Sequence, residues 1–151
     1  MKKFKYRAES FLKFTKHQRE GALKIYKDAQ NFKLKLQERF LWMENEMKKA
    51  YEHNEKIGED HRDVHFISDN NQFILMLKGQ MQGLSQEIAA ADEEIQLAYQ
   101  ELQKLQVKVK KLELHKESEE AKYKKERNKK IQKQIDEINS TRQEGRHAES
   151  V

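Results

Sequence analysis

The chain of 151 residues has no cysteine, no proline, five glycines and one tryptophan. Each shortage removes a class of structure. Without cysteine there is no disulfide and no thiol-ligated metal, which suits a reducing compartment. Without proline nothing breaks a helix from within. No apolar run approaches the roughly 18 residues that a membrane-spanning helix needs, and the first residues lack a signal peptide's apolar core. A single cytoplasmic domain is the expectation. No glycine-rich phosphate loop, Gly-x-Gly-x-x-Gly or Gly-x-Ser-x-Gly is present, so no catalytic constellation and no cofactor is expected.

What is abundant is charge, 38% of residues, alongside 36% hydrophobic residues. That mixture fits either a disordered chain or a long two-sided helix, and periodicity decides for the helix. Ile74, Leu77, Met81, Leu84, Ile88, Ala91, Ile95, Ala98, Leu102, Leu105, Val109 and Leu112 follow at alternating steps of three and four. This unbroken heptad stripe implies a left-handed supercoil with a partner helix. The first half carries a matching stripe through Phe4, Ala8, Phe11, Thr15, Gln18, Ala22, Ile25, Ala29, Phe32 and Leu36. Thr15 and Gln18 are its weak points. A stutter at Leu36–Phe40 leads on to Met43, Met47 and Ala50 or Tyr51.

These stripes predict an all-α fold. Two long helices form an antiparallel left-handed coiled-coil hairpin, with helix one near 5–56, a connection at 57–68, helix two near 69–142 and a flexible end at 143–151. Gly58 reads as the close of helix one, and Asp69 with Gln72 as a capping box opening helix two. At 1.5 Å per residue, helix two is on the order of 110 Å long. A turn near residue 62 puts residue i opposite about 124 − i, so nothing faces helix two beyond about residue 122. There Ile131, Ile135 and Ile138 resume an apolar stripe without an internal partner.

Charge follows the same division. Residues 1–24 carry net +6, residues 123–146 net +4 and residues 25–122 net −4. A hairpin brings the two basic segments to one end. The other end holds Glu52, Glu55, Glu59, Asp60, Asp63 and Asp69, with Met47, Tyr51, Phe66, Phe73 and Leu77 clustered near a thin tip, where exposed apolar groups favour partners.

Other motifs carry less. His61 and His65, beside Asp60 and Asp63, have a metal-compatible spacing on a helix, but they fall in the connection and read as a solvated loop. Gly79 and Gly83 lie off the stripe and mark local flexibility rather than a dimer face. Trp42, beside Phe40, Leu41 and Met43, reads as coiled-coil packing. Lys104, Lys108, Lys110, Lys111, Lys124, Lys125, Lys129 and Lys130 suggest a nucleic-acid contact, but Glu113, Glu117, Glu119 and Glu120 interrupt the run, so a solvated face is expected and no nucleic acid. An enzyme is the least expected class, because a two-helix rod has no pocket in which to desolvate a substrate.

Three stretches carry a family resemblance. Phe4-Lys5-Tyr6-Arg7, with Leu12 and Phe14 behind it, resembles the opening of flagellar FliJ proteins, although Phe14 stands where that family more often has leucine. Asn71-Gln72-Phe73-Ile74, followed by Leu77, resembles the family's second-helix start. Lys129-Lys130-Ile131 through Asp136-Glu137 resembles its basic tail. The resemblance spans nearly the whole chain, and the injectisome counterpart is its near neighbour.

The resemblance implies a stalk of the type III export apparatus, peripheral at the cytoplasmic face of the inner membrane and without direct membrane insertion. Its terminal end enters the hexameric flagellar export ATPase and promotes assembly and activity. Its other part reaches the membrane export gate protein, and export chaperones are further partners. The ATPase-binding candidates are Phe4, Tyr6, Arg7, Lys124, Lys125, Arg127, Lys129, Lys130, Ile131, Lys133, Ile135 and Ile138. Phe4 and Phe11 are expected to grip helix two, with Tyr6, Arg7 and the lysines facing the ring. The gate-binding candidates are Met47, Tyr51, Phe73 and Leu77. The alternatives are a generic cytoplasmic coiled-coil scaffold and an injectisome export stalk.

Overall fold

The computed structural model describes residues 2–60 and 64–149. Two long helices pack against each other: α1 at Glu9–Asp60 and α2 at Val64–Glu149. No strand occurs among the described residues. The chain divides into two compact units. Unit 1 holds residues 1–18 and 105–151, and unit 2 holds residues 19–104.

Helix ends differ from the sequence reading. α1 begins at Glu9 rather than residue 5, because Phe4, Tyr6 and Ala8 before it pack on the unit 1 core with Val109 and Leu112 of α2. Glu9 N donates to Tyr6 O at 3.2 Å, and the first helical bond runs from Leu12 N to Ala8 O at 2.8 Å. At its other end α1 runs through Gly58 to Asp60, and α2 is already helical at Val64, so Asp69 lies inside it rather than capping it. One glycine in a helix costs only about 1 kcal/mol, and 57–68 holds no proline to stop propagation. His61, Arg62 and Asp63, the centre of the expected connection, lie outside the described residues. Helix α2 continues to Glu149, through most of the expected flexible end.

Between residues 74 and 112 of α2 the buried and half-buried positions are Ile74, Leu77, Met81, Leu84, Ile88, Ala91, Ile95, Ala98, Leu102, Leu105, Val109 and Leu112, the same stripe the spacing predicts. Lys116, Glu119 and Tyr123 continue it, half-buried.

On α1 one half of the stripe is displaced by a residue. Ala8, Thr15, Ala22, Ala29, Leu36, Met43 and Ala50 face inward as expected. Between them, however, lie Leu12, Arg19, Tyr26, Lys33, Phe40 and Met47, all buried or half-buried. Phe11, Ile25 and Phe32 are instead 47%, 64% and 53% exposed, and Gln18 is exposed too. The observed frame counts back from Met47 and Ala50 in strict heptads, with no stutter at Leu36. The physical reason is the partner: α2 offers an unbroken seam, and a stutter on α1 alone would carry it out of register.

Long amphipathic side chains make this frame tolerable, since their stems pack while their heads reach solvent. Lys33 Nζ reaches Asp92, and the Tyr26 ring lies 5.6 Å from that of Tyr99. Thr15 is fully buried without penalty because its hydroxyl donates to Phe11 O at 2.8 Å, which leaves its methyl to pack.

Unit 2 is built on Leu36, Met43, Leu77, Leu84 and Ala91, with Phe40, Met47, Met81 and Ile88 against them. Tyr26 meets Tyr99, Lys33 meets Asp92 and Asn54 meets Asn71, so numbers rise on α1 as they fall on α2. Asn70 Nδ2 donates to Ala50 O at 2.7 Å and to Asn54 Oδ1 at 2.8 Å. Such a satisfied polar pair within an apolar seam fixes register. Unit 1 is built on Tyr6, Leu12 and Val109, with Phe4, Ala8 and Leu112 packed on them. A Cβ placed on Gly79 or Gly83 meets nothing within 4 Å, so neither glycine serves a close helix contact.

The frame has a direct energetic consequence. Leu12 is 1% exposed, so Leu12→Ala should cost about 2–5 kcal/mol of unfolding free energy. Phe11→Ala should cost less than about 1 kcal/mol, mostly its contact with Lys108. Urea unfolding followed by circular dichroism checks the ranking, which the phenylalanine-centred frame would reverse.

Candidate functional site

Unit 1 gathers the residues expected at the basic end. The segment before α1 lies along α2. Phe4 stacks on Tyr123 with ring centroids 5.6 Å apart, and the Tyr123 hydroxyl donates to Lys2 O. Tyr6 does not face outward as the sequence reading has it. It is 8% exposed, its ring lies 5.5 Å from that of His115, and its hydroxyl meets His115 Nδ1 at 2.6 Å. His115 Nε2 in turn lies 3.8 Å from Glu119 Oε1. Which of the Tyr6 hydroxyl and His115 Nδ1 donates follows the imidazole tautomer. Phe4 and Tyr6, rather than Phe4 and Phe11, therefore hold this segment to α2. Arg7 is exposed.

Ion pairs fasten the start of α1. Lys116 Nζ lies 2.9 Å from Glu9 Oε2, and Lys16 Nζ lies 3.3 Å from Glu113 Oε1. Hydrogen bonding from Lys116 is the largest effect and lowers the Glu9 carboxyl from its ordinary value; burial opposes it, and the positive charge of Lys116 adds to the lowering. The same hydrogen bond raises the Lys116 ammonium. Position 116 falls on the seam of α2, where a lysine needs this partner. Spacing alone marked it as a failure of the stripe. The signal that could have found the pair was Glu9 lying close to opposite Lys116 in an antiparallel register.

Beyond Tyr123 every described residue of α2 is exposed, through Glu149. Lys124, Lys125, Arg127, Lys129, Lys130 and Lys133 thus stand on an uncovered helix with Ile131, Ile135 and Ile138, which are 43–55% exposed. Steps of four and three place the three isoleucines on one face. Lys124 Nζ lies 3.8 Å from Glu120 Oε1. Unit 1 thereby brings Phe4, Arg7 and this cationic, isoleucine-striped helix into one body.

Unit 2 holds the gate-binding candidates, and they separate by burial. Leu77 is 2% exposed and belongs to the core, and Met47 packs against the same cluster. Neither is a free surface anchor. Tyr51 and Phe73 remain partly exposed, and Lys78 Nζ lies 5.9 Å from the Tyr51 ring centroid. Sequence reasoning passed over Leu75 and Met76, which are more exposed than either. Trp42, expected inside the coil, is exposed, because the corrected frame turns it outward. No cluster of three or more His, Asp or Glu suited to a metal occurs among the described residues, and His61 lies outside them. No helix is long and apolar enough to cross a membrane.

The Glu9–Lys116 pair predicts a pH window. Glu9 is depressed in the folded protein, so its contribution is present above its ordinary value of 4.5 and lost as pH falls below it. Lys116 is raised, so its contribution is present below 10.5 and lost as pH climbs above it. At low salt, Glu9→Gln should lower the melting temperature at about pH 7, by a margin that shrinks steadily as pH falls below 4.5. Equal melting of the two proteins at pH 7 would show that the pair adds nothing.

Comparison with known proteins finds no family model, no curated relative and no solved structure that matches this chain.

Proposed function

We propose that this protein is a non-enzymatic stalk and adaptor of the flagellar type III protein export apparatus, built as an antiparallel left-handed coiled coil. Its basic terminal end, in unit 1, inserts into the hexameric export ATPase and promotes its assembly and activity. Surface residues of unit 2 such as Tyr51 and Phe73 link it to the membrane export gate.

One observation carries the reading: α2 stays helical for 26 residues after Tyr123 with no buried position. A helix that keeps an isoleucine stripe and six flanking cations there, without using them for its own core, is suited to a partner's surface. Phe4 and Tyr6 fix the neighbouring segment on α2, which leaves Arg7 and the lysines to engage an acidic lining by charge. The family resemblance supplies the identity of that partner.

Because no described residue beyond Tyr123 is buried, a chain ending there should keep its fold. The full chain should raise the ATP hydrolysis rate of the matching export ATPase severalfold, while the version ending at Tyr123 should melt at a similar temperature and raise it little. Equal stimulation by both would move the contact to Phe4–Arg7 or to the body of the coil. No stimulation by either would overturn the stalk reading in favour of a plain coiled-coil scaffold.

A further inference from the structure

Charge in unit 1 is sorted by face. At about 100° per residue, the acids Glu113, Glu117 and Glu120 all lie to one side of the α2 seam through Leu105, Val109 and Leu112. Lys108, Lys111, Lys122 and Lys125 lie on the other side, all exposed. The acids that interrupt the lysine run in sequence therefore do not interrupt it in space. Two acids lie at its edge: half-buried Glu119, which draws Lys122 to 3.3 Å, and exposed Glu126, one turn beyond Lys122 at the far end of the stripe.

The same side of α1 carries no acid within unit 1. It carries Phe11 and Phe14, 47% and 56% exposed and one turn apart. Lys108 Nζ lies 5.8 Å from the Phe11 ring centroid, which places the aromatic pair beside the lysine stripe. Glu9 and its partner Lys116 sit toward the opposite side.

We propose that this face, Phe11 and Phe14 flanked by Lys108, Lys111, Lys122 and Lys125, docks on an anionic phospholipid bilayer. The cations are all lysine, compact point charges that ask no fixed geometry of their partner. That suits a diffuse field of headgroups, to which surface lysines add attraction one by one. The two phenylalanines have no hydrogen-bonding group with which to read a base, and they are the side chains an interfacial helix places at the headgroup–acyl boundary. From Lys108 to Lys125 the stripe runs about 26 Å along α2, a contact for a surface rather than a pocket. Lys125 is shared with the ATPase contact proposed above, but Phe11, Phe14, Lys108 and Lys111 lie outside it, so substitutions at those four test this face separately.

Flotation of the full chain with vesicles tests this. Vesicles of phosphatidylcholine containing about 30% phosphatidylglycerol should carry the protein, and pure phosphatidylcholine vesicles should not. Binding should weaken as salt rises. Lys108→Gln with Lys111→Gln should lower partitioning about tenfold or more, as should Phe11→Ser with Phe14→Ser, with helix content unchanged because all four side chains are exposed. Lys13→Gln with Lys110→Gln removes the same charge from the opposite side and should change it less than about twofold. Absence of phosphatidylglycerol-dependent binding would overturn the proposal. So would equal losses in the two lysine pairs, or tighter face-dependent binding of a single-stranded oligonucleotide than of the vesicles.

Discussion

The rest of the structure depends on one constraint: a narrow apolar seam on α2 that repeats every seven residues without a break. A two-helix interface has no third element to absorb an error of phase. α1 must therefore present a stripe of the same period, even where its most apolar residues lie elsewhere. That is why Arg19, Tyr26 and Lys33 face inward while Ile25 and Phe32 face solvent. Hydrophobicity is spent on continuity of register rather than on burying the largest groups.

The consequence is an unusual outer surface. Phe11, Phe14, Ile25, Phe32, Leu41 and Trp42 all remain substantially exposed. In a globular domain these would form the core. Here the polar ends of the inward side chains are satisfied locally, Lys33 by Asp92, Thr15 by Phe11 O and Asn70 by Asn54 and Ala50 O. The exposed aromatics are left for other surfaces. Burial likewise sorts the expected contact residues: Tyr6 and Leu77 hold the protein together, whereas Arg7, Tyr51, Phe73 and the lysines beyond Tyr123 are accessible.

Much of this was legible in residue order, and the failures have specific causes. The α2 stripe was readable to the residue because the positions between are mostly Gln, Glu and Lys, and the off-stripe Leu75, Met76, Leu97, Val107 and Leu114 are too scattered to sustain a second phase. On α1 two phases compete, since Phe11, Ile25 and Phe32 adjoin Leu12, Tyr26 and Lys33. A count of apolar residues favours the first set, and only the unbroken partner seam favours the second. Helix ends were misread where turn residues suggested punctuation, at Gly58 and Asp69, in a segment with no proline to enforce it. Tyr6 was misread because an aromatic among lysines looks exposed until His115 is placed opposite it. The sorting of lysines from glutamates across unit 1 was hidden by their adjacency in the chain.

A chain without cysteine permits a direct measurement of the frame by disulfide trapping. Lys33→Cys paired with Asp92→Cys places two thiols where an ion pair now joins α1 to α2. Phe32→Cys paired with Asp92→Cys moves one thiol to the outward position. The account predicts rapid intramolecular crosslinking of the 33–92 pair under mild oxidation in dilute solution, and little of the 32–92 pair. Faster crosslinking of 32–92 would contradict it and restore a seam through Phe11, Ile25 and Phe32.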